Sequence, residues 1–234
     1  MREWLFREYR PLKQYCVIFD MDGVLADTGP IHLKSWIMVA NELGFKITKK
    51  FFEETFGQQS IPIMRKLAGP NINQLEVEKF AALKEKYYRD MVKDEIIPLP
   101  GVISLIKLLK EKKFKLAIGS SGPPENIDLL LNGLKIKQYF DVIISAKDVK
   151  KGKPAPDVFL IAAKRLNIVP KRCLVIEDAP VGLEAAIRAG MKSIALTTTH
   201  NEDELSNADF VCPDLSYLNV NQITELLNIK NKKN

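Results

Sequence analysis

Residues 17–28 read VIFDMDGVLADT. A short apolar run stops at two aspartates, Asp20 and Asp22, one residue apart, and Gly23 follows at once. In an extended strand residues i and i+2 point to the same side, so both carboxylates face one space and Met21 turns away. Two like charges held that close oppose each other's ionisation, so the pair requires a cation or a transferable proton beside it. Gly23 permits the tight turn that must follow.

Outward from this stretch, YCVIF (15–19), KLAIG (115–119), DVIIS (141–145), CLVIE (173–177) and SIALT (193–197) are short and nearly continuous in apolar residues. Strands without polar alternation are buried on both faces, the mark of a parallel sheet. Helical periodicity separates them. GVISLIKLLKEKK sets Val102, Leu105, Ile106, Leu108 and Leu109 on one face, PDVFLIAAKRL starts at Pro156, and PVGLEAAIRAG stops at Gly190. Repeated strand–helix units predict an α/β fold, a doubly wound parallel sheet with a Rossmann-like core.

Residues 29–96 depart from this rhythm and contain no strand pattern. Four helices are expected there: one near 30–43 ending at Gly44, one capped by Thr48 and ending at Gly57, one from Ser60 to Gly69, and one from Asn73. The last is expected to show Phe80, Leu83, Tyr87 and Met91 on its apolar face. The chain thus divides into an α/β core, 1–28 and 97–234, and a small all-α cap, 29–96. IPLPG (97–101) is the stiff re-entry.

With 46% hydrophobic residues in 234, the chain has enough apolar mass for a sizeable core. No apolar run reaches the roughly 18–20 residues of a membrane span. The net charge of +6 comes from lysines scattered without aromatic neighbours, a solvated surface rather than a nucleic-acid patch. Such a field still favours small anionic substrates. Cys16, Cys173 and Cys212 are too few and scattered for a disulfide framework or zinc site, and read as buried thiols of a cytoplasmic protein. The start, MREWLFREYR, lacks the apolar core of a secretory signal and is expected to dock on the sheet domain; the tail NIKNKKN is expected to fray. The expected assembly is a monomer or weak homodimer.

The acidic pair lies at the carboxyl end of the first strand, where open α/β sheets place ligands. Other strand ends bring complementary groups. IGSSG supplies Ser120 and Ser121, VIEDAP supplies Glu177 and Asp178, and KKGKPAPD supplies Lys153. Convergent carboxylates are the oxygen ligands of a hard divalent ion such as Mg2+. A lysine and a serine beside them suit a phosphoryl group. A calcium loop of the EF-hand kind is excluded, because counting from Asp20 its sixth-position glycine falls fourth and its twelfth position is Ile31.

DMDGVLADT, GSSG, GKPAPD and VIEDA resemble the four ordered motifs of the haloacid dehalogenase superfamily. The helical insert resembles the α-helical cap of its β-phosphoglucomutase-like phosphatases, and the likeness spans about 15–227. The resemblance implies that Asp20 is the nucleophile, forming an aspartyl-phosphate, and that Asp22 is the general acid and base. It implies Mg2+ held by Asp20, Asp178 and the backbone carbonyl of Asp22, with Glu177 steadying its waters. Ser120 and Lys153 would grip the phosphoryl oxygens, with Ser121 beside them. Asp22 itself speaks against the halide-removing branch, which lacks a second aspartate. In the cap, Lys84 fits the family's substrate-facing lysine and His32 a histidine near the hinge; Thr28 and Gln58 complete the expected substrate-binding set. The mutases carry a cap arginine where this chain has Ser60, and a Lys-Asn pair where it has SGPP. The expected activity is therefore a magnesium-dependent phosphatase acting on a small phosphorylated metabolite, such as a sugar phosphate. A sugar phosphomutase is the alternative, and a non-catalytic phospho-acceptor or binding module the further one. Cap opening is expected to hinge near 27–30 and 96–101.

Overall fold

A computed structural model describes residues 14–93 and 96–229; the N-terminal segment expected to dock, and the last residues of the tail, lie outside them. From β1 (Cys16–Phe19) the chain enters four helices, α1 (Gly29–Glu42), α2 (Lys49–Thr55), α3 (Ser60–Ala68) and α4 (Gln74–Val92). It continues through α5 (Val102–Glu111), β2 (Lys115–Gly119), α6 (Pro124–Gly133), β3 (Val142–Ile144), α7 (Asp157–Arg165) and β4 (Cys173–Glu177). The remainder is α8 (Pro180–Arg188), β5 (Lys192–Leu196), β6 (Phe210–Cys212) and α9 (Val220–Leu226).

The six strands form one parallel sheet in the order β3-β2-β1-β4-β5-β6. This is the doubly wound order, and it reverses between β1 and β4, where a crevice opens at the carboxyl ends of the strands. The strand alternation explains the two cores. Val17 and Phe19 join Leu116, Ile118, Leu174 and Ile176 on the face covered by α5, α6 and α9. Cys16 and Ile18 join Ala117, Cys173 and Val175 on the face covered by α7 and α8. Each Val, Leu, Ile or Phe side chain buried this completely contributes roughly 1.5–3 kcal/mol. All three cysteines are buried free thiols. No helix among the described residues is long and apolar enough to cross a membrane.

The five expected strands are present within a residue or so of their predicted limits. The sixth, β6, has only three residues, two of them half-buried, too little for a pattern to announce. Helices α6 and α9 also lie beyond the pattern reading.

Helices α1–α4 form the small all-α cap over the sheet, with an apolar cluster of their own: Trp36, Val39, Ile63, Met64, Val77 and Ala81. Thr48 caps α2 as expected, accepting from the Phe51 N–H at 3.1 Å, and Asn73 caps α4, accepting from Glu76 at 2.9 Å. The inward face of α4 differs from the expectation. Val77, Ala81, Lys84, Glu85, Tyr88 and Val92 are buried, whereas Phe80, Leu83, Tyr87 and Met91 are only half-buried. Periodicity in apolar residues pointed one position away because the buried stripe includes two charged side chains.

The chain leaves and re-enters the sheet domain side by side. Ala26 makes an antiparallel bridge with Pro98, and the Leu99 N–H donates to the Leu25 carbonyl at 3.0 Å.

Candidate active site

The ladder of β1 runs one step past the strand, the Asp20 N–H donating to the Ile176 carbonyl at 2.9 Å. Met21 then plunges into the core, fully buried, and leaves Asp20 and Asp22 on the opposite side, both lining one chamber. Gly23 turns the chain with a φ of 73°, and a Cβ there would lie 1.9 Å from Asp178 Oδ2. The glycine thus lets two strand ends approach as well as making the turn.

The two aspartates are compensated separately. Lys153 Nζ lies 2.6 Å from Asp20 Oδ1 and also donates to Glu177 Oε1; its side chain is 1% exposed. Asp22 Oδ1 accepts from Thr28 Oγ1 at 2.6 Å and from Tyr88 Oη at 3.3 Å. The His32 Nε2 stands 3.1 Å from the same oxygen, too poorly aligned to count as a hydrogen bond. Burial pushes Asp20 up to about 7, more than Lys153 pulls it down, with Glu177 and Asp22 adding to the rise. Burial also works against ionisation of Asp22, yet His32, Thr28 and Lys84 together hold it down at about 2. An acid–base carboxyl is ordinarily not pulled so far down. Thr28, in the segment after β1, with His32 and Lys84 of the cap, accounts for the low value.

Two more carboxylates come from the end of β4. Glu177 Oε2 accepts from the backbone N–H groups of Asp178 at 3.0 Å and Ala179 at 3.2 Å, just ahead of α8. Gly182 in that helix is required by close approach, since a Cβ there would meet Glu177 Oε1 at 1.9 Å. Asp178 Oδ2 accepts from Thr199 Oγ1. Its Oδ1 is buried with no donor among the described residues. Burial, then Glu177 and Asp20, raise the Asp178 carboxyl well above its ordinary value.

Ligand oxygens of Asp20, Glu177 and Asp178 all lie within 4.8 Å of one another. An all-oxygen, multiply acidic set with one orphaned carboxylate oxygen fits a hard divalent cation. The Asp22 carboxylate is not part of this set; its Oδ1 accepts from Thr28 and Tyr88.

Ser120 and Ser121 line the chamber with Gly122. Ser120 Oγ accepts from the Gly122 N–H at 3.0 Å, which leaves its own proton free to donate to a ligand. From the cap come His32, Lys84, Gln58, Ser60 and Glu85, with Trp36, Phe52, Phe56 and Ile63 as apolar wall. Lys84 Nζ is held 2.7 Å from His32 Nδ1 and 3.0 Å from Glu85 Oε1. Gln58 reaches the chamber but donates back to the Glu54 carbonyl at 3.2 Å. Thr28 does not face the chamber; its hydroxyl is spent on Asp22. Sequence reasoning missed Tyr88, stacked on the His32 ring at 4.0 Å, as well as Glu85, Gly182 and Thr199. Thr199 had a signal, the hydroxyl run TTT just beyond β5. The chamber is partly open to solvent and has a free volume of about 40 Å³.

Comparisons place the arrangement among known proteins. The haloacid dehalogenase-like hydrolase family model matches residues 17–196. A phosphorylated carbohydrates phosphatase of Thermotoga maritima is 34% identical over 182 residues, covering 76% of this chain and 82% of that protein. A fructose-1-phosphate phosphatase of Escherichia coli is 33% identical over 178 residues, covering 76% and 94%. Among solved structures, a β-phosphoglucomutase from Clostridium difficile superposes with a TM-score of 0.85 at 32% identity, covering 92% of this chain and 97% of that one. The match over most of the chain, through all four strand-end motifs, makes this protein a member of the haloacid dehalogenase-like hydrolase family.

Proposed function

We propose that the protein is a magnesium-dependent phosphatase of small phosphorylated metabolites, with sugar phosphates as the substrate class. One observation carries the reading: a buried aspartate is held by a lysine at the rim of a three-carboxylate cluster, with free hydroxyl donors on the neighbouring loop. The named activities of the Thermotoga and Escherichia relatives support the substrate class.

In this mechanism an Asp20 carboxylate oxygen attacks phosphorus. The new P–O bond forms as the ester P–O bond breaks, and Asp22 delivers a proton to the leaving oxygen. Water then attacks the aspartyl-phosphate, Asp22 takes its proton, and inorganic phosphate leaves with Asp20 restored. Asp22 rests ionised, as its second task requires; the charge of an arriving phosphate beside it opposes that ionisation and readies it for the first. Lys153 and the Ser120 hydroxyl hold the phosphoryl oxygens as charge moves onto them. Asp20, Asp178 and Glu177 would hold magnesium, which when bound supplies charge neutralisation between nucleophile and phosphate.

The chamber is walled by side chains of both the sheet core and the cap, so movement of the cap would widen it for such an ester. The paired segments at Ala26 and Pro98 are where the inferred core (1–28, 97–234) and cap (29–96) join, and the hinge is assigned to the residues just beyond them.

A mutase is the second reading, favoured by 32% identity over 188 residues to a β-phosphoglucomutase of Bacillus subtilis. The phosphatase is preferred because no arginine among the described residues lines the chamber to hold a distal phosphate, Ser60 being the side chain there. The test is release of inorganic phosphate from a panel of sugar phosphates, with isomerisation followed in parallel. Asp20→Asn is expected to stay folded and to lose turnover; appreciable hydrolysis by the pure variant would reject the nucleophile.

A further inference from the structure

The cap wall carries a charge that the phosphoryl chemistry does not use. Glu85 is buried on α4 and lines the chamber beside Lys84 and Ser60. Its Oε1 accepts from Ser60 Oγ and from Lys84 Nζ, and its Oε2 accepts from Asn126 Nδ2 at 2.6 Å. Asn126, on the first turn of α6, is itself held by Arg89 Nη1 at 2.8 Å. A buried carboxyl so surrounded is ionised. Burial alone would raise it, but Lys84, His32 and Ser60 keep it below its ordinary value.

An ionised carboxylate can only accept, at about four lone-pair sites. Protein donors take three, two on Oε1 and one on Oε2, so one acceptor position remains on Oε2 of a residue that lines the chamber. Lys84 supplies no net positive charge to this wall, because Glu85 neutralises it and the His32 ring occupies another of its donors. Among the described residues the two arginines of the cap are turned elsewhere, Arg89 to Asn126 and Arg65 to Gln74. Trp36, Phe52, Phe56 and Ile63 provide apolar surface for a C–H face. Hydroxyl groups, which donate, match this wall; a phosphate dianion, which cannot donate, does not.

We propose that Glu85 is the specificity-determining residue of the cap. It accepts hydrogen bonds from the hydroxyls of a neutral, polyhydroxylated leaving group and repels a second anionic group, restricting the substrate to monophosphates. The assignment rests on, and deepens, the phosphatase reading.

The test compares a ketohexose 1-phosphate with the corresponding 1,6-bisphosphate in wild type and Glu85→Gln, with magnesium present. Wild type is expected to favour the monophosphate. In Glu85→Gln the monophosphate-to-bisphosphate ratio of kcat/KM is expected to fall at least about tenfold, the low end of what a desolvated like-charge contact gives. Ser60→Arg, which sets a cation against Glu85, is expected to move the ratio the same way and stands in if Glu85→Gln does not fold. A ratio unchanged in the folded variants, or a wild type preferring the bisphosphate, overturns the assignment. Calorimetric affinities of the two esters are read alongside. Were wild type to hydrolyse neither ester, the phosphatase reading would fall, and the same shift in the affinity ratio would still decide for or against Glu85.

Discussion

Lys153 lies where charge compensation is most concentrated. Its ammonium sits between Asp20 and Glu177 with 1% of the side chain exposed, and Asp178 completes the acidic cluster. Replacing it by methionine keeps most of the volume and removes the only cation among the described residues that contacts Asp20 or Glu177. Breaking a buried pair strands a charge and costs about 3–5 kcal/mol. For a chain of this size that lowers the melting temperature by ~10 °C. The loss should depend on pH. Near pH 8 the stranded carboxylates are forced to stay ionised or to take a proton at a cost, whereas near pH 6 Asp20, already raised to about 7, protonates readily and the penalty shrinks. Magnesium should restore much of the stability, because a dication supplies the same compensation. It should not restore turnover, since the grip on the phosphoryl oxygens is gone and about 10²-fold or more in kcat goes with it. Thermal unfolding in chelator and in magnesium at both pH values, beside phosphate release from an aryl phosphate, makes the measurement. If Lys153→Met melts like wild type in chelator at the higher pH, or turns over normally, the lysine does not compensate the cluster.

Thr28→Val removes a hydroxyl donated to Asp22 at 2.6 Å. Losing a donor that favours the charged form should raise the Asp22 pKa by about one unit and move the acidic limb of the pH–rate profile upward; an unmoved limb would separate Thr28 from the acid–base step. Magnesium binding should weaken as pH falls below about 7, because Asp20 must give up its proton to become a ligand. The sign for the metal-free protein is opposite. From about 4 to about 7 the folded chain keeps a proton at Asp20 that the unfolded chain has released, so this group lowers stability as pH rises through that window. The magnesium-induced rise in melting temperature should therefore be larger near pH 8 than near pH 6; equal rises would contradict it.

The sheet was legible because its strands are buried on both faces, so KLAIG and CLVIE carry their burial as composition. The core site was legible because parallel strands deliver their carboxyl ends to one rim, which made Asp20, Ser120, Lys153, Glu177 and Asp178 neighbours by topology. The cap resisted for a physical reason. Its inner face on α4 turns polar where it covers the chamber, and an apolar stripe cannot reveal Lys84 and Glu85 as buried. Thr28 illustrates the same limit, since composition does not say whether a hydroxyl turns to a ligand or to Asp22. Gly182 resisted because a glycine inside a helix carries no mark of the carboxylate packed against it.

The bridge between Ala26 and Pro98 has a consequence for how such a protein can be altered. Because the outgoing and returning segments are already neighbours, deleting everything between them leaves a gap that a two- or three-residue turn can close. Loop-closure entropy grows only slowly with length, so inserts of very different size are tolerated at the same place. The helices with their own Trp36–Val77 cluster are in that sense a cassette. Exchanging them should change which esters enter while Asp20 and its cluster keep their places.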